Sequence, residues 1–133
     1  MTWIRDTVAD FGRHIGIDSL ELGPEESVQL TFASGSILAV EPTHRLDEDE
    51  ILVYMGRPVG HQLAPLLRIA MTKAHVDHGG SMPIQVASRG TGPDAMLIAL
   101  VRLPHRTFTP QALVHATDHL GRWLDEVSAG GSR

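Results

Sequence analysis

Cysteine is absent from this 133-residue sequence, and Lys73 is its only lysine. Without thiols the chain can form no disulfide scaffold, no thiol nucleophile and no cysteine-based zinc or iron–sulfur site. Acidic residues outnumber basic ones by 16 to 11, which gives a formal net charge of −5. Because nucleic-acid-binding domains normally present a basic surface, this balance argues against a nucleic-acid partner.

Long apolar runs and nucleotide or nucleophile motifs are also missing. The longest apolar run, Ala95–Val101, is too short to span a bilayer, and Met1–Asp6 reaches an acid before any apolar core of a signal peptide. We therefore expect a cytoplasmic protein that does not insert into membranes. The Gly79–Met82 turn lacks the lysine of a P-loop, and no Gly-x-Ser-x-Gly elbow is present. The sequence therefore predicts a protein that is not an enzyme and has no cofactor.

The length and composition favour one α+β domain. With 42% hydrophobic and 20% charged residues the chain can bury a core, and we expect a single domain over residues 1–127 and a flexible tail over 128–133. Helical periodicity predicts three helices, from Thr2 to about Gly16, from about Gln62 through Ala74, and from Pro110 to Val127. Val8 and Phe11 lie on the apolar face of the first, and Thr109 is the predicted N-cap of the last, whose apolar stripe consists of Leu113, Ala116, Leu120, Trp123, Leu124 and Val127. Ser34–Ser36 fits a tight hairpin turn. Alternating patterns and turns predict five strands, at 28–32, 37–41, 51–55, 84–88 and 95–102. The order α-β-β-β-α-β-β-α indicates a twisted, largely antiparallel five-stranded sheet with three helices.

Two of the predicted strands, Ile51–Met55 and Ala95–Val101, carry apolar residues on both faces. This pattern is typical of strands that are buried on both sides. Either a partner covers the face that the helices leave open, or both strands are central and the helices wrap around them.

The histidines suggest a metal site, which we weigh and reject. His115 and His119 have the i, i+4 spacing of two ligands on one helix. The residues between them lack the glutamate of a metalloprotease motif, and the pair lies off the apolar stripe. His75 and His78 flank a glycine-rich turn and give no stronger pattern, and the acidic run Asp47–Glu50 is typical of a solvated loop. We therefore predict no metal.

Several short segments, in their order along the chain, resemble the class I type III secretion chaperones, the Tir-chaperone-like family. The first helix of that family carries a phenylalanine-glycine pair and then a hydrophobic-glycine step, to which Asp10–Ile17 is similar. Its leucine-rich second helix and the Gly-Gly element that follows resemble Leu66–His75 and His78–Gly80. A late tryptophan in its closing helix matches Trp123, so the resemblance covers Trp3–Val127.

The resemblance implies a homodimeric chaperone of the bacterial cytoplasm that acts without ATP. It would bind the N-terminal region of a type III secreted effector in extended form, partly by strand addition and partly through apolar grooves, and keep it stable and competent for secretion. The implied partners are the effector, a second copy of the chain and the ATPase of the export apparatus. The alternative is a dimeric α+β module that binds another protein or a small ligand and has no secretion role.

The resemblance also assigns residues to roles. The family's dimer contact lies on the second helix, which gives Leu63, Leu66, Leu67, Ala70 and Met71. Its client site lies on the first helix and the neighbouring sheet face, which gives Trp3, Val8, Phe11, Leu30, Phe32, Leu38 and Val53. For the second-helix residues the alternative is packing against the chain's own sheet, and for Phe11 it is a place in the core.

Overall fold

The computed structural model describes residues 2–14, 27–44, 49–76 and 82–130, and it confirms the predicted order of three helices and five strands. The helices are α1 Thr2–His14, α2 Leu63–Val76 and α3 Pro110–Ser128; the strands are β1 Val28–Thr31, β2 Ile37–His44, β3 Asp49–Pro58, β4 Gln85–Arg89 and β5 Met96–Pro104. Short 3-10 turns lie at Gly60–Gln62, Gly92–Asp94 and His105–Thr107. The predicted tail begins at the last residue of α3, and residues 131–133 lie outside the described part of the chain.

The five strands form one antiparallel sheet in the order β1-β2-β3-β5-β4. β3 and β5, whose predicted segments are apolar on both faces, lie in its interior and pair over nine residues, from Glu50↔Pro104 to Pro58↔Met96. The two shortest strands, β1 and β4, form the edges. The pattern of two-sided apolar strands therefore correctly predicted which strands are central.

The main core lies between one face of the sheet and the three helices. It joins alternate residues of β2, β3 and β5 to buried side chains from each helix. α3 contributes most of the helical part, with Leu113, Ala116, Leu120, Trp123, Leu124 and Val127 all buried. These six residues are the stripe that helical periodicity predicts for the last helix.

The opposite face of the sheet carries a smaller buried cluster, which consists of Ile37, Ala39, Tyr54 and Ile98 with Met96 and Leu100 packed against it. The core-forming residues of all three described helices belong to the other face. Both apolar strands are therefore central, but in the described part of the chain the helices do not wrap around both faces, and a partner that covers the second face stays a prediction.

α3 begins with the cap that the sequence predicts. The Thr109 hydroxyl oxygen accepts a hydrogen bond of 3.0 Å from the backbone N–H of Ala112, and Pro110 occupies the first helical turn. Farther along, Arg57 of β3 donates to the carbonyl of Gly121 at 3.1 Å and pairs with Asp125 at 2.6 Å. The cap therefore defines where the helix begins, and the Arg57 contacts tie its second half to β3.

We predict that Thr109→Ala lowers the free energy of unfolding by about 1 kcal/mol, because the N–H of Ala112 loses its acceptor. Thr109→Ser keeps a hydroxyl at the same position, so its free energy of unfolding should fall only slightly. Urea denaturation followed by circular dichroism measures both variants. An equal loss in the serine variant would show that the methyl group, and not the cap, contributes the stability.

Candidate functional site

The residues predicted to bind an effector differ in how far the fold buries them. Val8 and Phe11 of α1, with Leu38 and Val53 of the sheet, are buried in the main core. Leu30 is half-buried against that core. Trp3 lies in α1, but its side chain is outside the described residues. The structure therefore gives the four buried residues a core position, and a binding role for any of the seven stays a prediction.

Phe32 is exposed, with 41% of its surface accessible. It lies where β1 turns into β2, and the turn holds its backbone at both ends. Its N–H donates to the carbonyl of Ser36 at 2.8 Å, and its carbonyl accepts from Gly35 at 2.9 Å. Gly35 has a φ of +90°, which the predicted hairpin turn requires and which an L side chain rarely adopts. An aromatic ring is thus displayed on a rigid turn.

The residues predicted to form the dimer contact lie along α2, beside β4 and α3. Ala70 is buried in the chain's own core, and Leu63, Leu66 and Leu67 are half-buried. Met71 is 59% exposed. The stripe therefore serves the core along one side, and Met71 presents apolar surface to solvent; a dimer contact through these residues stays a prediction.

Among the strands of residues 27–44, 49–76 and 82–130, β1 and β4 each pair with a single neighbour, so within these residues each leaves one row of backbone N–H and C=O groups without a strand partner. Such edges can accept an added strand from another polypeptide. Four of the five residues of β4 are exposed. Both edges therefore have the geometry that strand addition needs.

Tyr54, the only tyrosine of the chain, forms a polar network on the sheet face opposite the helices. Its hydroxyl donates to a Glu41 carboxylate oxygen at 2.7 Å and accepts from Arg89 at 3.5 Å, and the Arg89 guanidinium lies 5.9 Å from the ring centroid. Burial raises the pKa of the Tyr54 hydroxyl, as does the hydrogen bond to Glu41, whereas Arg89 lowers it. Sequence reasoning treated Tyr54 only as part of an apolar strand, because the pairing that places Glu41 and Arg89 beside it is non-local.

The two histidines of α3 have no third metal ligand among the residues that the structure describes. Their rings are stacked with centroids 6.5 Å apart, and Nε2 of His119 hydrogen-bonds the carbonyl oxygen of Met82 at 3.0 Å. Within residues 2–14, 27–44, 49–76 and 82–130, no three histidine, aspartate or glutamate side chains are placed to hold a metal ion. His75 is exposed at the end of α2, while His78 and the Gly79–Gly80 pair lie outside the described residues.

No helix in the described part is long and apolar enough to cross a membrane.

We predict that the single tyrosine titrates above its ordinary pKa of 10.0, because burial and the Glu41 hydrogen bond favour the neutral phenol. The raised pKa means that the neutral phenol contributes to the free energy of unfolding. That contribution is fully present below the ordinary pKa and is lost as the pH rises through the pKa of the folded state. Tyrosinate absorbance measures the shift without interference from a second tyrosine.

Two charge-neutralising variants test the causes of that shift in opposite directions. Glu41→Gln should lower the pKa of Tyr54, and Arg89→Gln should raise it, because each removes one of the two opposing contacts. Shifts of the same sign in both variants would contradict the network.

Comparison with known proteins finds a likeness in fold and none in sequence. No family profile matches the chain, and no curated protein matches it significantly. Three solved complexes contain chains with the same fold. In the complex of the Yersinia pestis type III secretion chaperone SycH with a stable fragment of YscM2, the match has 13% identity and a TM-score of 0.61, and covers 93% of this chain and 98% of that one.

The HopA1–SchA chaperone–effector complex matches at 12% identity and a TM-score of 0.64, over 90% of this chain and 88% of that one. The ExsC–ExsE complex matches at 15% identity and a TM-score of 0.66, and the match covers 95% of this chain and 94% of that one. The match extends over at least nine-tenths of this chain in each case. The chain therefore has the fold of the class I type III secretion chaperones.

Proposed function

We propose that this chain is an ATP-independent chaperone of the bacterial cytoplasm that binds the N-terminal region of a type III secreted effector in extended form. Binding in that form would keep the segment stable and competent for secretion. The observation that carries the proposal is the fold, which this chain shares over nearly all of its length with two solved structures. One contains a type III secretion chaperone, and the other is a chaperone–effector complex.

Two kinds of surface support binding of an extended segment. The outer edges of β1 and β4, which have no strand partner among the described residues, offer backbone donors and acceptors that can pair with an extended segment largely independently of its sequence. The exposed Phe32 ring supplies an apolar contact at the β1–β2 turn, close to one of those edges. Backbone pairing with a few apolar anchors suits a chaperone, because it holds an extended client without requiring that client to fold.

A homodimer is part of the proposal, and the outward side of α2 is its expected contact. Met71 and the half-buried leucines of α2 leave apolar surface that a second copy would cover. The ATPase of the export apparatus is the expected receiver of the loaded complex. We also propose that the chain catalyses no covalent reaction, because two of the similar structures are named as chaperones.

Protease protection tests the function directly. The full chain is used as bait in lysate of its native bacterium, the complex is digested, and the protected peptides are identified by mass spectrometry. We expect one dominant partner that is protected only over a stretch near its N-terminus. A partner held through a folded domain, or no reproducible partner, would instead favour the alternative module without a secretion role.

A variant pair assigns the contact in the same experiment. Phe32→Ser should reduce recovery of the protected segment by about tenfold, because loss of a buried aromatic contact costs roughly 1.4 kcal/mol or more. Ala129→Ser, at an exposed residue after α3 that lies on neither edge strand, should leave recovery unchanged. Circular dichroism melting curves confirm that both variants fold.

The dimer contact is tested by placing a carboxylate on α2. We predict that Leu67→Asp and Met71→Asp both convert the dimer to monomers in sedimentation velocity, because an unpaired carboxylate is costly to bury. Met71→Asp is the cleaner variant, since that side chain is largely exposed within one chain. Thr72→Asp, on the far side of the helix, should remain dimeric, and a stable dimer in both stripe variants would show that the contact lies elsewhere.

A further inference from the structure

A cavity of about 470 Å³ lies between the last turn of α1 and the first half of α3. We call it the α1–α3 groove. Its lining includes Asp10 and His14 from α1 and Pro110, Val114, His115 and Asp118 from α3. None of the residues predicted for client binding or for the dimer contact belongs to it, so it is a separate surface.

The groove combines three kinds of chemical group. Pro110 and Val114 supply an apolar surface, and each helix adds one carboxylate and one imidazole ring. A ligand with an apolar stem, a flat polar group and a positive charge would match all three. An arginine side chain has all three, because its methylene stem packs on apolar surface and its planar guanidinium pairs with carboxylates and stacks on aromatic rings.

The carboxylates already have partners, but those partners are exchangeable. Asp10 pairs with Arg13 and Asp118 with Arg122, each within one turn of its own helix. The side chains of Arg13 and Arg122 are 58% and 75% exposed and do not line the groove. Because exposed pairs of this kind are only weakly stabilising, a guanidinium that enters the groove can compete with them.

We propose that the α1–α3 groove binds an arginine side chain of a partner polypeptide. The identification of that polypeptide as the exported client rests on the proposed function, whereas the chemistry of the groove does not. Lysine is a poorer match, since its ammonium is a compact, strongly hydrated charge that cannot pair in a bidentate manner or stack.

A blocked amino acid tests the groove without any client. Isotope-labelled full chain is titrated with N-acetyl-arginine methylamide at constant ionic strength and mildly alkaline pH, and chemical shifts are followed by NMR. We expect saturable shifts centred on Asp10, Val114, His115 and Asp118. The lysine and norleucine analogues should bind at least severalfold more weakly. Equal binding of the lysine analogue, or the absence of saturable shifts at these residues, would overturn the proposal.

Matched variants identify the groups responsible. Asp10→Asn and Asp118→Asn should each weaken the arginine probe by about tenfold, the usual scale for one charge-assisted hydrogen bond. Asp94→Asn makes the same charge change at an exposed turn outside the groove and should have no effect. Arg122→Gln removes the competing partner of Asp118 and should leave binding equal or tighter. Unchanged affinity in both groove variants would contradict the assignment.

The outcomes separate this inference from the proposed function. If an N-terminal client segment is protected but the arginine probe does not bind, only the groove assignment fails. If the probe binds and no such client exists, the groove remains and the chaperone function fails. If both hold, Asp118→Asn should also reduce client recovery while Asp94→Asn does not; equal recovery would show that the client does not use the groove.

Discussion

β3 and β5 pair over nine residues at the centre of the sheet, and the other elements take their positions from this pairing. Their alternate residues on one side, such as Val53 and Val101, form the base of the main core under the helices. The residues on the other side, such as Tyr54 and Ile98, form the second cluster. With apolar residues on both faces, these strands are stable only in the interior of the sheet. The short strands β1 and β4 are left as edges, and the edges are where strand addition is possible.

The sequence predicted the elements well because their signals are local. The Thr109-Pro110 start of α3, the Ser34–Ser36 turn and the apolar stripes depend on neighbours a few residues away. The strand order could not be predicted in the same way, because β5 pairs with β3 across α2 and β4. The Tyr54 network and the α1–α3 groove depend on contacts of that non-local kind.

The predicted site shows a second limit of sequence patterns. Helical periodicity identified Val8 and Phe11 as one apolar face, and the structure places both in the core. Periodicity indicates which face of an element is apolar, but it does not indicate whether the chain itself or another molecule covers that face. Exposure separates the two cases, and among the predicted residues whose side chains are described it distinguishes Phe32 and Met71 from the others.

The low sequence identity to the three similar structures also reflects the difference between buried and exposed positions. A core tolerates many substitutions as long as apolar volume and patterning are kept, so 12–15% identity is compatible with one fold. Exposed positions are under no such packing constraint, and they are free to differ according to the partner. Phe32, the outward side of α2 and the α1–α3 groove lie on different elements and share no residue. Client anchoring, dimerisation and arginine recognition can therefore be altered one at a time, which makes each proposed contact separable by mutation.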